Sequence, residues 1–219
     1  MRSRTADAYI EKIAERKTPY FKTIAGIELR IDEGVYPTGT IGALFHEALE
    51  LLPFKISKNT KALDYGTGTG FLSILTALQG ATVVSLDISL TSIECAKFNA
   101  EKNQVSHLID FRVSNCLSSL KQDECFDLIL AGLPWDDAKP DTPLEQGFYD
   151  EDFKMRKALC KNLSKILNPG GLALLTYSKH VQEINPIEKF FPNCQVSVLL
   201  EENINDEPHY ILTVRPVNH

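Results

Sequence analysis

Positive charge is in short supply in this 219-residue chain: 23 lysines and arginines stand against 29 aspartates and glutamates, a formal charge of −6. That balance disfavours broad electrostatic capture of nucleic acid, although a local basic face is compatible with it. The most basic region is the N-terminal arm, with Arg2, Arg4, Lys12, Arg16, Lys17 and Lys22. A solvated helix face is a simpler reading of it than a nucleic-acid contact. The five cysteines (Cys95, Cys116, Cys125, Cys160 and Cys194) are scattered singly, with no C-x-x-C pair. Metal-site spacing is therefore absent, and an odd count argues against a complete disulfide framework. No apolar run reaches the length of a membrane span and no charged-then-apolar leader opens the chain, so a cytoplasmic location without membrane contact is expected. His46, His107, His180, His209 and His219 fall at no recognisable catalytic spacing and are expected to be structural or solvated. Repeats and low-complexity tracts are also lacking. What remains is 43% hydrophobic and 24% charged, ordinary for one globular domain with a real core.

The most informative stretch is Ala62-Leu63-Asp64-Tyr65-Gly66-Thr67-Gly68-Thr69-Gly70-Phe71-Leu72. It reads as a buried strand ending in an acid, a three-glycine turn, and the first turn of a helix. Glycine tolerates the positive φ such a bend needs, and its missing Cβ lets backbone approach a ligand. Dinucleotide sites prefer G-x-G-x-x-G, whose last glycine packs helix against strand. Here the spacing is G-x-G-x-G and the sixth place is Phe71, which argues against a pyrophosphate grip and leaves a nicotinamide dehydrogenase a distant reading. Asp64 suits a ligand carrying an ammonium group. Asp87 closes the next strand 21 residues after Gly66, where a carboxylate can accept from both hydroxyls of a ribose, and Ile88 beside it can pack on a purine face. The competing role for Asp87 is to cap the helix that follows.

Around this motif the chain alternates. Strands are expected at 61–65, 82–87, 108–113, 126–131 and 171–177, and helices at 70–79, 89–103 and 149–167, with Ser89 as an N-cap and Asn168-Pro169-Gly170-Gly171 as a stop. Before them come a helix over 3–17, a hairpin around Gly26 with Ile27, Leu29 and Ile31 alternating, and a helix over 40–52. At the end, Val196, Val198 and Leu200 and then Tyr210–Val214 alternate as an antiparallel hairpin. The expected fold is α/β: a doubly wound, seven-strand mixed sheet with an antiparallel C-terminal hairpin. The loop 136–148 is a candidate lid or a plain surface loop.

These residues resemble the class I S-adenosylmethionine-dependent methyltransferases over roughly residues 35–216, with residues 1–34 as an N-terminal extension and 35–219 as the cofactor domain. Asp64–Gly70 resembles the glycine motif, Asp87 the ribose-binding acid, Ala96–Asn103 the end of the following helix, and Leu167–Gly171 the turn before the fifth strand. The resemblance implies S-adenosyl-L-methionine as cofactor. Gly66 and Gly68 would lie against its methionyl part, with Gly70 also in the cofactor site, Asp64 would face its amino group, and Asn115 would stand where many members place an Asp near the adenine. Gly34–Thr40 resembles the entry segment of the "methyltransferase small domain" group, which implies Tyr36 and Thr38 in the pocket.

Methyl transfer needs chiefly alignment of an acceptor with a free lone pair. After the fourth strand, Gly132-Leu133-Pro134-Trp135-Asp136-Asp137 resembles the Asn/Asp-Pro-Pro-aromatic motif of methyltransferases acting on planar amino groups. Pro134 is kept, and Trp135 keeps a ring that can serve as a substrate platform, with a packing role as the alternative. Gly132 replaces the polar residue, and Asp136 or Asp137 is a candidate substitute, with a solvated pair as the alternative. The implied activity is methylation of a nitrogen on RNA or protein, with a small extension or a partner selecting the substrate. A small-molecule methyltransferase and a catalytically silent cofactor-binding subunit are the other readings.

Overall fold

The computed structural model describes residue 2 and residues 4–178, 186–204 and 206–217. Two of the five histidines, His180 and His219, lie outside the described residues. Helix α1 (Arg4–Ala14) leads into a two-stranded antiparallel hairpin, β1 (Tyr20–Ile24) and β2 (Ile27–Ile31), followed by α2 (Thr40–Glu50). The hairpin turns on Ala25 and Gly26, both at positive φ (48° and 77°), as two-residue hairpin loops require. Then come β3 (Lys61–Tyr65), α3 (Phe71–Ala77), β4 (Thr82–Asp87), α4 (Leu90–Lys102), β5 (Ile109–Val113), β6 (Phe126–Ala131) and α5 (Lys154–Ile166). The chain closes with β7 (Leu167–Ser178), α6 (Ile187–Phe190), β8 (Cys194–Ile204) and β9 (Glu207–Pro216).

Seven strands form one sheet in the order β5-β4-β3-β6-β7-β9-β8. The first five are parallel, and β9 runs antiparallel to both β7 and β8. The expected doubly wound mixed sheet is therefore present. Its central strands are buried on both faces, which is why they are near-continuous apolar runs. Alternation sorts their side chains. Ala62, Leu128, Leu130, Leu172 and Leu174 pack with α2, α3 and the hairpin residues Leu29 and Ile31. Leu63, Tyr65, Ile129, Ala131 and Leu175 pack with Leu159, Leu163 and Ile166 of α5.

The N-terminal hairpin is fastened to this core by one fully buried amide. Asn99 of α4 accepts from the Arg30 backbone N–H at 2.7 Å, and its Nδ2 donates to the carbonyls of Arg30 and Thr69, both at 2.9 Å. It thereby ties β2 to the glycine turn. Ser89 caps α4 through the Ser92 N–H at 3.2 Å, as expected.

Several boundaries differ from the sequence reading. The fifth strand begins at Leu167, pairs with Phe126, and then shifts register before Leu172 meets Leu128. The Asn168–Gly171 stop is thus a bulge inside a strand, where a Cβ on Gly171 would lie 3.0 Å from the Asp127 carbonyl. The helix expected over 149–167 begins only at Lys154, because residues 148–150 pair with 135–136 instead. The short helix α6 had no expectation attached to it. No helix among the described residues is long and apolar enough to cross a membrane.

Candidate active site

Strand order reverses between β3 and β6, since the chain leaves β3 toward β4 and β5 and then returns to the other side. In open α/β sheets the crevice beyond the carboxyl ends of two such strands is where ligands bind. Here the ends of β3 and β6 carry the glycine turn and Gly132–Trp135, and they open into a cavity of about 360 Å³. Sites that enclose a cofactor-sized molecule have volumes of about 300–1,000 Å³.

The glycine turn is wired tightly. Gly66 and Thr67 both donate to the Leu86 carbonyl at 2.9 Å, and Gly68 N–H donates to Asp87 Oδ2 at 2.9 Å. The three glycines all have positive φ but different neighbours. A Cβ on Gly68 would face the cleft, with the Tyr36 carbonyl nearest at 3.9 Å, whereas one on Gly70 would lie 2.8 Å from Ala96 Cβ. Gly68 thus opens backbone to a ligand, while Gly70 seats α3 against α4. Gly70→Ala is expected to cost about 3 kcal/mol, from strain at φ 82° plus overpacking against a helix backbone. Urea unfolding checks this, and a loss below about 0.5 kcal/mol refutes it.

Helix α3 begins at Phe71, and its N-cap, Gly70, has no side chain to cap it. Asp64 does so from beneath the turn: its Oδ2 accepts from the Ser73 N–H (3.0 Å), Ser73 Oγ (2.7 Å) and Thr67 Oγ1 (2.7 Å). The side chain is fully buried, and burial raises the carboxyl to about 6. Asp87 is half-buried. Its Oδ1 accepts from Ser89 N–H and its Oδ2 from Gly68 N–H, both at 2.9 Å, and burial raises its carboxyl too. Each oxygen retains a lone pair for a ligand.

Opposite the turn, Trp135 N–H and Asp136 N–H donate to the Phe148 carbonyl, and Asp150 N–H donates to the Asp136 carbonyl at 2.9 Å. This pairing brings Asp150 into the cleft. Its carboxylate is buried and accepts from Met155 N–H at 3.1 Å through both oxygens. Behind it the fully buried Arg156 donates to the Pro134 carbonyl at 2.9 Å and lies over the rings of Phe153, Tyr177 and Phe190. The loop also rests on the entry segment: Gly147 has no Cβ, which would otherwise lie 2.7 Å from Tyr36, and Phe148 meets the Tyr36 ring edge-on at 5.0 Å.

Of the residues singled out from sequence, Tyr36, Thr38, Gly66, Gly68, Asp87 and Ile88 line this cavity, as do Asn115, Gly132, Pro134 and Trp135. Asp64, Gly70 and Asp136 are not in its wall. Asp64 and Gly70 support the turn from behind, and Asp136 is buried in the pairing with Tyr149. Asp137 accepts from the Asp152 N–H at 2.8 Å. Cys116 also lines the cleft. Sequence reasoning missed Gln146, which lines the cavity from the 136–148 loop, and Asp150, Lys154 and Met155, which line it from a segment expected as plain helix. The open backbone at Gly68, the Asp87 lone pairs and the volume together fit S-adenosyl-L-methionine.

A family profile described as "Methyltransferase domain" matches residues 56–212. The chain belongs to that family. Among its relatives, a release factor glutamine methyltransferase of Rhodopirellula baltica is 27% identical over 184 residues, covering 76% of this chain and 60% of that protein. A bifunctional methyltransferase of Rickettsia felis is 33% identical over 151 residues, covering 62% of this chain and 28% of that one. The chain therefore spans less than two thirds of either relative. Among solved structures, the Thermus thermophilus 16S rRNA N2 G1207 methyltransferase in complex with AdoMet and guanosine aligns over 91% of this chain and 50% of its own, with a TM-score of 0.69 and 21% identity. Ribosomal protein L11 methylase from Lactobacillus delbrueckii subsp. bulgaricus aligns over 87% and 86%, with a TM-score of 0.59 and 21% identity. At 21% identity those likenesses show a shared fold.

Proposed function

We propose that this chain is an S-adenosyl-L-methionine-dependent methyltransferase acting on a nitrogen of RNA or protein in the cytoplasm, with residues 35–219 as the catalytic domain and residues 1–34 as a compact extension. The observation that carries the reading is the meeting, in one cleft at the switch point, of the glycine turn with Asp87 and of the Gly132–Trp135 loop. When bound, the cofactor supplies a methyl group activated by its sulfonium. The chain's own residues bind and orient. Asp87 accepts from the ribose hydroxyls through its remaining lone pairs. The open Gly68 backbone receives the methionyl end, and the exposed Ile88 and Asn115 flank the adenine. Asp64 and Gly70 act from behind as positioning residues. Trp135 offers a platform to the acceptor, while Pro134 and the buried Asp136 hold it in place. The relatives' named activities on rRNA, ribosomal protein and release factor support a macromolecular acceptor.

Titration calorimetry with S-adenosyl-L-methionine tests this. The protein is expected to bind the cofactor, and Asp87→Ala is expected to weaken binding about 100-fold, the loss of two charge-assisted hydrogen bonds. No binding at high micromolar cofactor, or equal affinity in the variant, sinks the proposal. One observation favours a second reading, a catalytically silent cofactor-binding subunit: Gly132 presents no side chain where the related motif has a polar one. Turnover by the isolated chain on RNA, protein or metabolite fractions eliminates that reading, and label confined to the metabolite fraction moves the acceptor to a small molecule.

A further inference from the structure

The chain's negative charge is concentrated on one side of the cleft. Residues 136–154 hold seven carboxylates and two lysines, a net −5 out of −6 for the whole protein. This stretch forms the cleft's outer lip. Gln146, Tyr149, Asp150, Glu151 and Lys154 from it face the cavity. Lys154, the one cation among the described lining residues, is paired with Glu151 at 2.8 Å. Arg2 is likewise consumed, by Asp141 at 2.6 Å and Glu145 at 2.8 Å. Low-dielectric walls lined by one sign of charge focus the field inside a cleft, attracting cations and repelling phosphates. Proteins that bind a nucleic-acid backbone do so with unpaired lysine and arginine. On the N-terminal arm, Lys22 donates to the Thr38 carbonyl and Arg16 lies on the Tyr20 ring.

A second observation lies at the centre of the lip. Asp150 is 6% exposed and, among the described residues, forms no ion pair. Its carboxylate accepts from the backbone N–H groups of Met155 at 3.1 Å and Arg156 at 3.4 Å. The neighbouring guanidinium of Arg156 is turned instead to the Pro134 carbonyl and three rings. Arg156 and Lys154 act on Asp150 through space but do not pair with it. A buried carboxylate with no direct ion pair, sharing the cavity with the tryptophan ring, is an arrangement that can receive an ammonium group. Gly132 leaves the approach open, since even an added Cβ would meet nothing within 4 Å.

We propose that the acceptor is a primary amine that arrives as a cation on a basic protein segment, drawn in by the acidic lip and met by the Asp150 carboxylate beside Trp135. This rests on the methyltransferase reading and selects protein over RNA within it. Asp150 supplies the polar side chain that is missing at Gly132, from a different part of the chain: it would take a proton from the ammonium, leaving the amine lone pair free to bond the methyl carbon as the methyl–sulfur bond breaks, with S-adenosylhomocysteine as the leaving group.

Trp135 is the sole tryptophan, so its fluorescence reports the site directly. With S-adenosylhomocysteine present, the protein is titrated with a 20-residue poly-L-lysine, the same peptide fully acetylated, and a 20-nucleotide single-stranded RNA. Poly-L-lysine is expected to give a saturable change that weakens with salt, and the other two none. Asp150→Asn keeps an oxygen for Met155 N–H and is expected to weaken the peptide at least tenfold. Asp123→Asn, an equal charge change on an exposed turn away from the cleft, should stay within twofold of wild type. Binding of RNA as tight as the peptide, a peptide affinity in Asp150→Asn within twofold of wild type, or no peptide signal at all overturns the proposal. Cofactor affinity measured by calorimetry on the same samples separates the two claims. Intact cofactor binding with a failed peptide test sinks only the amine reading, and absent cofactor binding sinks the methyltransferase reading itself.

Discussion

Asp64→Ala is expected to destabilise the protein by about 4 kcal/mol, while Asp64→Asn folds and loses a pH dependence that the wild type has. Three donors converge on Asp64 Oδ2; truncation leaves the Ser73 N–H buried without an acceptor, and leaves the Thr67 and Ser73 hydroxyls only each other and Ser85 Oγ. It also removes the one side-chain cap that α3 has among the described residues, because the N-cap itself is a glycine. Oδ1 finds no partner among the described residues. An asparagine can therefore keep its carbonyl at the Oδ2 position and place its amide at the vacant one. Burial holds the folded carboxyl at about 6 against an ordinary 3.8, outweighing the donors from Ser73 and Thr67. An acid with a raised folded value binds its proton more tightly folded than unfolded. Its contribution to stability is present in full below pH 4 and is lost as pH rises through 6, a fall of about 3 kcal/mol. Urea unfolding of both proteins at half-unit steps from pH 4 to 7.5 isolates this residue from Asp87, which both retain. An asparagine variant that descends as steeply as the wild type would contradict the assignment.

The capping role of Asp64 follows from its place in the chain. Period-two alternation puts Asp64 on the same face of β3 as Ala62, toward α3, and a helix opening on Gly70 without a capping side chain asks for a remote acceptor. The expectation that Asp64 faces the cofactor rests instead on its place just before the turn and on resemblance. Most of the fold was legible for a simple reason: central parallel strands are apolar runs, and the residues at their carboxyl ends form the cleft in any doubly wound sheet. Gly66, Gly68, Asp87, Asn115 and Gly132–Trp135 could thus be placed by counting strands. Asp150 could not. Its position depends on residues 148–150 pairing with 135–136, a contact set by tertiary packing of an aperiodic loop against α1 and Tyr36. The same pairing explains why α5 starts late. Arg156 left a fainter trace, since it falls in register with Leu159, Leu163 and Ile166 on the buried stripe of α5, where a charge needs a reason.

The reason for Arg156 predicts the second large effect. Arg156→Ala is expected to lose about 4 kcal/mol of stability, and Arg156→Met only a small part of that. A buried guanidinium carries a desolvation penalty, and here its Nε and Nη1 find no acceptor among the described residues. Burial accordingly lowers its pKa, though not enough to discharge it. A methionine fills the volume among Phe153, Tyr177 and Phe190 without that penalty, so the arginine is a poor choice for stability alone. What methionine cannot do is donate to the Pro134 carbonyl. Pro134 lies between the Gly132 opening and the Trp135 platform, and its carbonyl is the anchor that α5 provides to this loop. Loss of that anchor should free the Trp135 and Asp136 amides from the Phe148 carbonyl, which they now share at 3.1 and 3.2 Å. Hydrogen exchange over residues 133–150 is expected to quicken at least tenfold in Arg156→Met, with cofactor affinity within threefold of wild type, because the glycine turn and Asp87 are held by other bonds. Unchanged exchange in a folded Arg156→Met protein would mean that the loop stands on the 135–150 pairing by itself and that the buried charge serves something other than the platform.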